Sequence, residues 1–127
     1  MGYAGIQTML LTYKMRKADK EFELTQITNE YIEAQSKYTA VNDELKQLKA
    51  GLNPSDDEYS YEVEVEALDA EYDSRLEKIA AWEDELQQKQ SNCETEISML
   101  NGYIDSWSKA LTTNIQKAHD YGPKASG

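Results

Sequence analysis

Between residues 24 and 52 the apolar positions advance in alternating steps of three and four: Leu24, Ile27, Tyr31, Ala34, Tyr38, Val41, Leu45, Leu48 and Leu52. That spacing puts one narrow apolar stripe along a helix whose remaining faces are polar. A matching stripe runs through Tyr72, Leu76, Ile79, Glu83, Leu86, Gln90, Cys93, Ile97, Leu100, Ile104, Trp107 and Leu111, with ten of the twelve positions apolar. Repeats of this length predict coiled-coil packing. A connection of only a few residues makes the two helices antiparallel neighbours. The fold class expected is all-α: an antiparallel two-helix coiled-coil hairpin with a long second helix, each stripe covering the other.

The boundaries follow from stop and start signals. Lys46 and Lys49 oppose the negative dipole end of the first helix, Gly51 suits a left-handed position just past its end, and Pro54 blocks continuation. Ser55 followed by Glu58 reads as a capping box for the second helix. Lys117 and His119, then Gly122-Pro123, read as that helix's end. The prediction is therefore a single domain over 1–127: a helix over about 4–50, a turn over about 51–55, a helix over about 56–120, and a frayed tail at 121–127. A turn centred near 53–55 pairs residues whose numbers add to about 108. In that register the break at Lys17 and Lys20 faces a second polar break near Lys89 and Gln90. From Tyr59 to Ala67 the residues alternate apolar and polar, a strand-like period, while a helix keeps Tyr61, Val65, Leu68 and Tyr72 on one face. Helix is favoured there, with an irregularity at 59–67.

The intrachain seam is expected at Leu24, Ile27, Tyr31, Tyr38, Val41, Leu45, Leu48, Tyr72, Leu76, Ile79, Leu86, Cys93, Ile97 and Leu100. Apolar residues are left over. Leu11, Met15, Ala18 and Phe22 form a second stripe beside Ile6, Leu10 and Tyr13, and a helix apolar on two faces needs two neighbours. The second helix also outruns the first, carrying Trp107, Leu111 and Ile115 toward an uncovered end. Ile6, Leu10, Met15, Phe22, Ile104, Trp107, Leu111 and Ile115 are the residues expected to bind neighbouring copies.

Charge sharpens this division. Residues 1–50 hold seven bases and seven acids, whereas 51–99 hold three bases and fifteen acids, so the net −11 is concentrated around the turn. A chain this acidic repels phosphate backbones and is not expected to bind nucleic acid. Apolar runs such as Met9-Leu10-Leu11 are far short of a membrane span. The opening residues lack the basic region and long apolar core of a secretory signal. They imply export to the cell surface by a route without a cleaved signal or, alternatively, a cytoplasmic location.

Little here points to chemistry. Cys93 lies within the apolar stripe and reads as a small core residue, so neither a disulfide nor a cysteine metal site is expected. His119 reads as a dipole partner, and Trp82 and Trp107 as packing. Asp56-Asp57-Glu58 lacks the spacing of a calcium loop, and no glycine-rich phosphate loop occurs. No catalytic residue, metal or cofactor is assigned, and the protein is expected not to be an enzyme.

The start MGYAGIQTMLLTYKMRKADKEFE and the end ISMLNGYIDSWSKALTTNIQKAHDYG resemble, in architecture, subunits of bacterial type III secretion needles and their filament extensions, and the terminal coiled coils of flagellins. The likeness covers the whole chain as a layout. Flagellin's SxGxRI-type signature is absent, as are the needle subunits' short turn motif and the WxG turn of small secreted hairpins, so it assigns no binding residue. It implies terminal helices in the core of a helical tube, the turn facing outward, copies of the chain as partners, and a secretion chaperone. The layout is also similar to β-type prefoldin chaperone subunits, which insert a β-hairpin between their helices; about 15 residues are too few for that insert. A cytoplasmic scaffold or secretion-regulator coiled coil is the third reading.

Overall fold

The computed structural model describes residues 2–54 and 57–126, with side chains through residue 117. It consists of α1, Tyr3–Ala50, and α2, Glu58–Ser126, packed against each other as an all-helical hairpin with no strand among the described residues. The chain divides into two units, residues 1–25 with 91–127 and residues 26–90, each containing a stretch of both helices.

In the unit of residues 26–90 the core follows the two apolar stripes. Ile27, Ala34, Leu45, Tyr72, Leu76, Ile79 and Leu86 are buried, and Leu86 is the largest side chain to be almost wholly enclosed, at 1% exposure. Tyr31, Val41, Leu52 and Leu68 are half-buried beside them. Tyr38 and Leu48, predicted in the seam, lie at its exposed margin. Polar contacts tie the flanks: the Tyr72 hydroxyl donates to Glu44 Oε1 at 2.9 Å, Gln87 Nε2 donates to the Tyr31 hydroxyl at 2.9 Å, and Gln90 Nε2 reaches Thr28 Oγ1 at 3.5 Å. Lys49 pairs with Asp69. The Tyr72 phenol is held above its ordinary range by its hydrogen bond to the Glu44 carboxylate and by burial.

These pairs correct the expected register. Their residue numbers add to 116 or 118 rather than about 108. The register is therefore shifted by eight to ten in summed number. After Ala50 the chain continues beside α2 before turning, and Leu48 and Leu52 share a groove with Glu64, Ala67 and Leu68. Gly51 does not take the left-handed conformation, since no glycine among the described residues has positive φ. Its N–H bonds to the Gln47 carbonyl at 3.1 Å, and Leu52 N–H bonds to that of Lys49 at 3.1 Å. The helix ends by tightening from an i−4 to an i−3 bond, which satisfies the last carbonyls without a glycine-specific turn.

α2 begins at Glu58, two residues later than expected, and Ser55 lies outside the described residues. Asp57 supplies the cap. Its carboxylate accepts the Tyr59 N–H at 3.2 Å and the Ser60 hydroxyl at 2.9 Å. Residues 59–67 are regular helix, with Tyr61 and Val65 turned inward and Tyr59 and Val63 exposed. The strand-like alternation gives way because the helix buries the 61–65–68–72 face against α1, whereas a strand would leave its backbone groups without a partner. At the other end the α2 backbone passes Gly122-Pro123 and stops at Ser126, beyond the expected end near 120. Proline forfeits its own N–H bond and crowds the carbonyl four residues back, yet it does not end this helix. The His119 side chain lies outside those described.

Candidate functional site

The unit of residues 1–25 and 91–127 has an inner seam and two exposed apolar surfaces. In the seam, Ile6, Leu10 and Cys93 are buried, and Tyr13, Leu24, Ile97, Leu100, Ile104, Trp107 and Leu111 are half-buried. The Tyr13 and Tyr103 rings stack at 5.2 Å, and the Arg16 guanidinium lies over Tyr13 at 5.7 Å. The predicted break at Lys20 is bridged within the chain. Its ammonium sits 2.7 Å from Glu96 and 3.0 Å from Glu23, and its backbone carbonyl accepts the Cys93 thiol at 3.1 Å. Lys20 thus faces Glu96 rather than the neighbourhood of Lys89 and Gln90. The two carboxylates, Glu96 foremost, raise the Lys20 ammonium's pKa. Burial raises the Cys93 thiol, which keeps it protonated and unreactive at neutral pH.

This geometry divides the eight residues expected to meet neighbouring copies. Ile6 and Leu10 are 4% and 7% exposed and belong to the monomer's own core. α2 is long enough to cover α1 down to its first turns, where Ile6 lies beside Trp107. Ile104, Trp107 and Leu111 are half-covered. Met15, Phe22 and Ile115 are open, at 60%, 66% and 46% exposure. With Tyr13 level with Tyr103, Ile115 lies past Tyr3, where α1 begins.

Leu11, Met15, Ala18 and Phe22 all face water. At 3.6 residues per turn their stripe is centred about 145° around α1 from the Ile6–Leu10–Tyr13 seam, on the side away from α2. The same spacing extends the stripe to smaller residues at either end. Ala4, Thr8, Leu11, Met15, Ala18, Phe22 and Thr25 follow steps of four and three without one charge. Thr8 donates its hydroxyl to the Ala4 carbonyl at 2.9 Å, and Thr25 donates to that of Glu21 at 3.1 Å. Both hydroxyls are satisfied by their own helix, which suits these threonines to an apolar contact. The missed signal was the absence of charge at these small positions.

A second surface is an open groove between the helices, about 310 Å³, floored by Met99, Leu100 and Tyr103 and rimmed by Arg16 and Asp19. The unit holds seven bases and seven acids, whereas residues 26–90 hold six bases and seventeen acids. The whole net charge of −11 thus falls outside the unit that carries the stripe. Among the described residues no group of three or more His, Cys, Asp or Glu is arranged to hold a metal ion, and no helix is long and apolar enough to cross a membrane.

Compared with known proteins, the chain matches no protein-family model, no curated protein and no solved structure.

Proposed function

We propose that this chain is a non-enzymatic structural subunit that assembles with copies of itself, in its fullest form a bacterial helical filament laid out like those of secretion needles and flagellins. The observation that carries the reading is the stripe on α1, where Leu11, Met15 and Phe22 each leave more than half of their surface in water on the side away from α2. Each such side chain forgoes on the order of 1–2 kcal/mol of burial while uncovered. An aligned row of them marks an association surface rather than ordinary scattered exposure. The neutrality of this unit supports copies as the partner, because like surfaces can approach without net repulsion. Growth beyond a first contact would draw on Met99, Tyr103 and Ile115, which are also open. A prefoldin-type chaperone finds less support, since Tyr59–Ala67, its one strand-like segment, is helical.

The test is electron microscopy and sedimentation of the purified chain beside a Leu11→Asp/Phe22→Asp variant. The wild type is expected to form assemblies that grow with concentration, and the variant to stay helical and single. A wild type that remains monomeric throughout, or one that forms small closed particles holding unfolded clients, overturns the proposal.

A further inference from the structure

The exposed stripe repeats with the period of a coiled-coil seam, and its pattern specifies how two copies meet. Ala4, Thr8, Leu11, Met15, Ala18, Phe22 and Thr25 span about 30 Å of helix at 1.5 Å per residue. In coiled-coil terms Thr8, Met15 and Phe22 take one core position, and Ala4, Leu11, Ala18 and Thr25 the other. Antiparallel helices pair one type with the other. Reversing the stripe against itself matches Met15 with Ala18, Leu11 with Phe22 and Thr8 with Thr25, each twice about a two-fold axis. A small residue then lies opposite the flexible methionine, and no layer sets phenylalanine on phenylalanine. A parallel pair would instead stack Phe22 on Phe22 and leave Ala18 facing Ala18, an uneven seam.

The flanks fit the same register. Lys14 and Glu21 edge the stripe on one side, and the reversal brings Lys14 of each copy beside Glu21 of the other. Among the described residues Lys14 lies within no ion pair. Among the described residues Glu21 has one ion-pair contact, 3.6 Å to the half-buried Lys17. On the opposite flank Thr12 meets Asp19. Charge, residue size and spacing therefore agree on one arrangement.

We infer that two copies of this chain pair antiparallel along the α1 stripe, Met15 of one on Ala18 of the other and Lys14 of one beside Glu21 of the other. The inference rests on the proposed self-association and supplies its first contact. A seam this narrow buries on the order of 500 Å² per copy, below the usual size of a stable interface, so the pair forms in the micromolar range. An isologous contact closes on itself, so further growth requires surfaces outside the stripe.

Two measurements on the full chain test it. In sedimentation equilibrium, Lys14→Glu is expected to weaken the dimer roughly ten-fold, and adding Glu21→Lys to restore it to within about three-fold of wild type. In oxidative cross-linking, a mixture of Met15→Cys and Ala18→Cys chains is expected to give covalent dimers, while each alone gives few; buried Cys93 stays out of the reaction. Self-linking by Met15→Cys, with rescue of Lys14→Glu by Asp19→Lys instead of Glu21→Lys, would show parallel pairing and overturn the register. A wild type that associates but answers neither the charge exchange nor the cross-link pattern refutes this pairing and leaves self-association standing. A monomer at every concentration refutes both.

Discussion

Leu10 and Leu11 are adjacent, chemically identical and on the same helix, yet their exposures are 7% and 60%. Replacing each in turn by alanine isolates what burial contributes. For Leu10, nearly the full 1.5–3 kcal/mol of leucine burial is lost, and part of the vacated space stays empty, so about 2–3.5 kcal/mol is expected. For Leu11 only about 40% of the side chain is covered, which scales the loss to about 0.6–1.2 kcal/mol with no cavity. Circular dichroism melts in dilute solution, where single chains prevail, should place the Leu10→Ala midpoint on the order of 10 °C below that of Leu11→Ala. The contrast should narrow at high protein concentration. There the proposed association would cover the Leu11 side chain of the wild type, and its removal would cost the assembly as well. Equal losses in dilute solution would refute the assignment of Leu10 to the chain's own core. A gap that concentration does not change would refute the role given to Leu11.

Other outcomes follow from the connection, the cap and the core. Gly51→Ala should be neutral or stabilise by about 0.4–1 kcal/mol, because Gly51 lacks positive φ and an added Cβ would sit 3.6 Å from the Leu48 carbonyl oxygen, an ordinary contact; a loss above 1 kcal/mol in urea unfolding would show the left-handed turn after all. Asp57→Ala should cost about 0.5–2 kcal/mol in the same assay, because the Asp57 carboxylate accepts the Tyr59 N–H and the Ser60 hydroxyl at the start of α2, and Asp57→Asn much less, because the amide oxygen still accepts the Tyr59 N–H and its NH2 can donate to the Ser60 hydroxyl. Stability should fall as pH rises past about 9. The unfolded chain ionises Cys93 at its ordinary value of 9.0 while the buried thiol of the folded chain holds its proton, and Tyr72, raised by Glu44, extends the loss above 10.0. Alkaline melts of Cys93→Ala should lack the first part of that decline, and an unchanged profile contradicts the burial assigned to the thiol.

Much of this fold is legible in the residues because burial imposes a period. The stripes through Ile27–Leu45 and Tyr72–Leu86 become the core of their unit, and the 61–65–68–72 face turns inward while Tyr59 and Val63 stay out. The register is not legible, because it depends on the path of the few residues after Ala50. A chain that keeps climbing beside α2 shifts every pair by about eight in summed number, and nothing in Gly51-Leu52-Asn53-Pro54 forbids either path. The coincidence of polar breaks was misleading for the same reason. Lys20 finds Glu96 across the helices, so a lysine in the stripe marked an ion pair rather than a second break. The exposed stripe on α1 was legible at Leu11, Met15, Ala18 and Phe22 by size alone. Its extension through Ala4, Thr8 and Thr25 was hidden because small residues announce no burial. Ile6 and Leu10 were misplaced because how far down α1 the cover of α2 reaches is a tertiary fact.

The central claim is that α1 is apolar on two opposed faces, one covered by α2 and the other by another copy of the chain. Met15 and Met99 report on it directly, since both are more than half exposed in the single chain and only Met15 lies on the stripe. Their peroxide oxidation rates, read by mass spectrometry across a concentration series, should be similar when dilute, and Met15 should become several-fold slower than Met99 in the range where the first contact forms, before further growth reaches Met99. Met15 oxidising as fast as Met99 at every concentration would contradict the account.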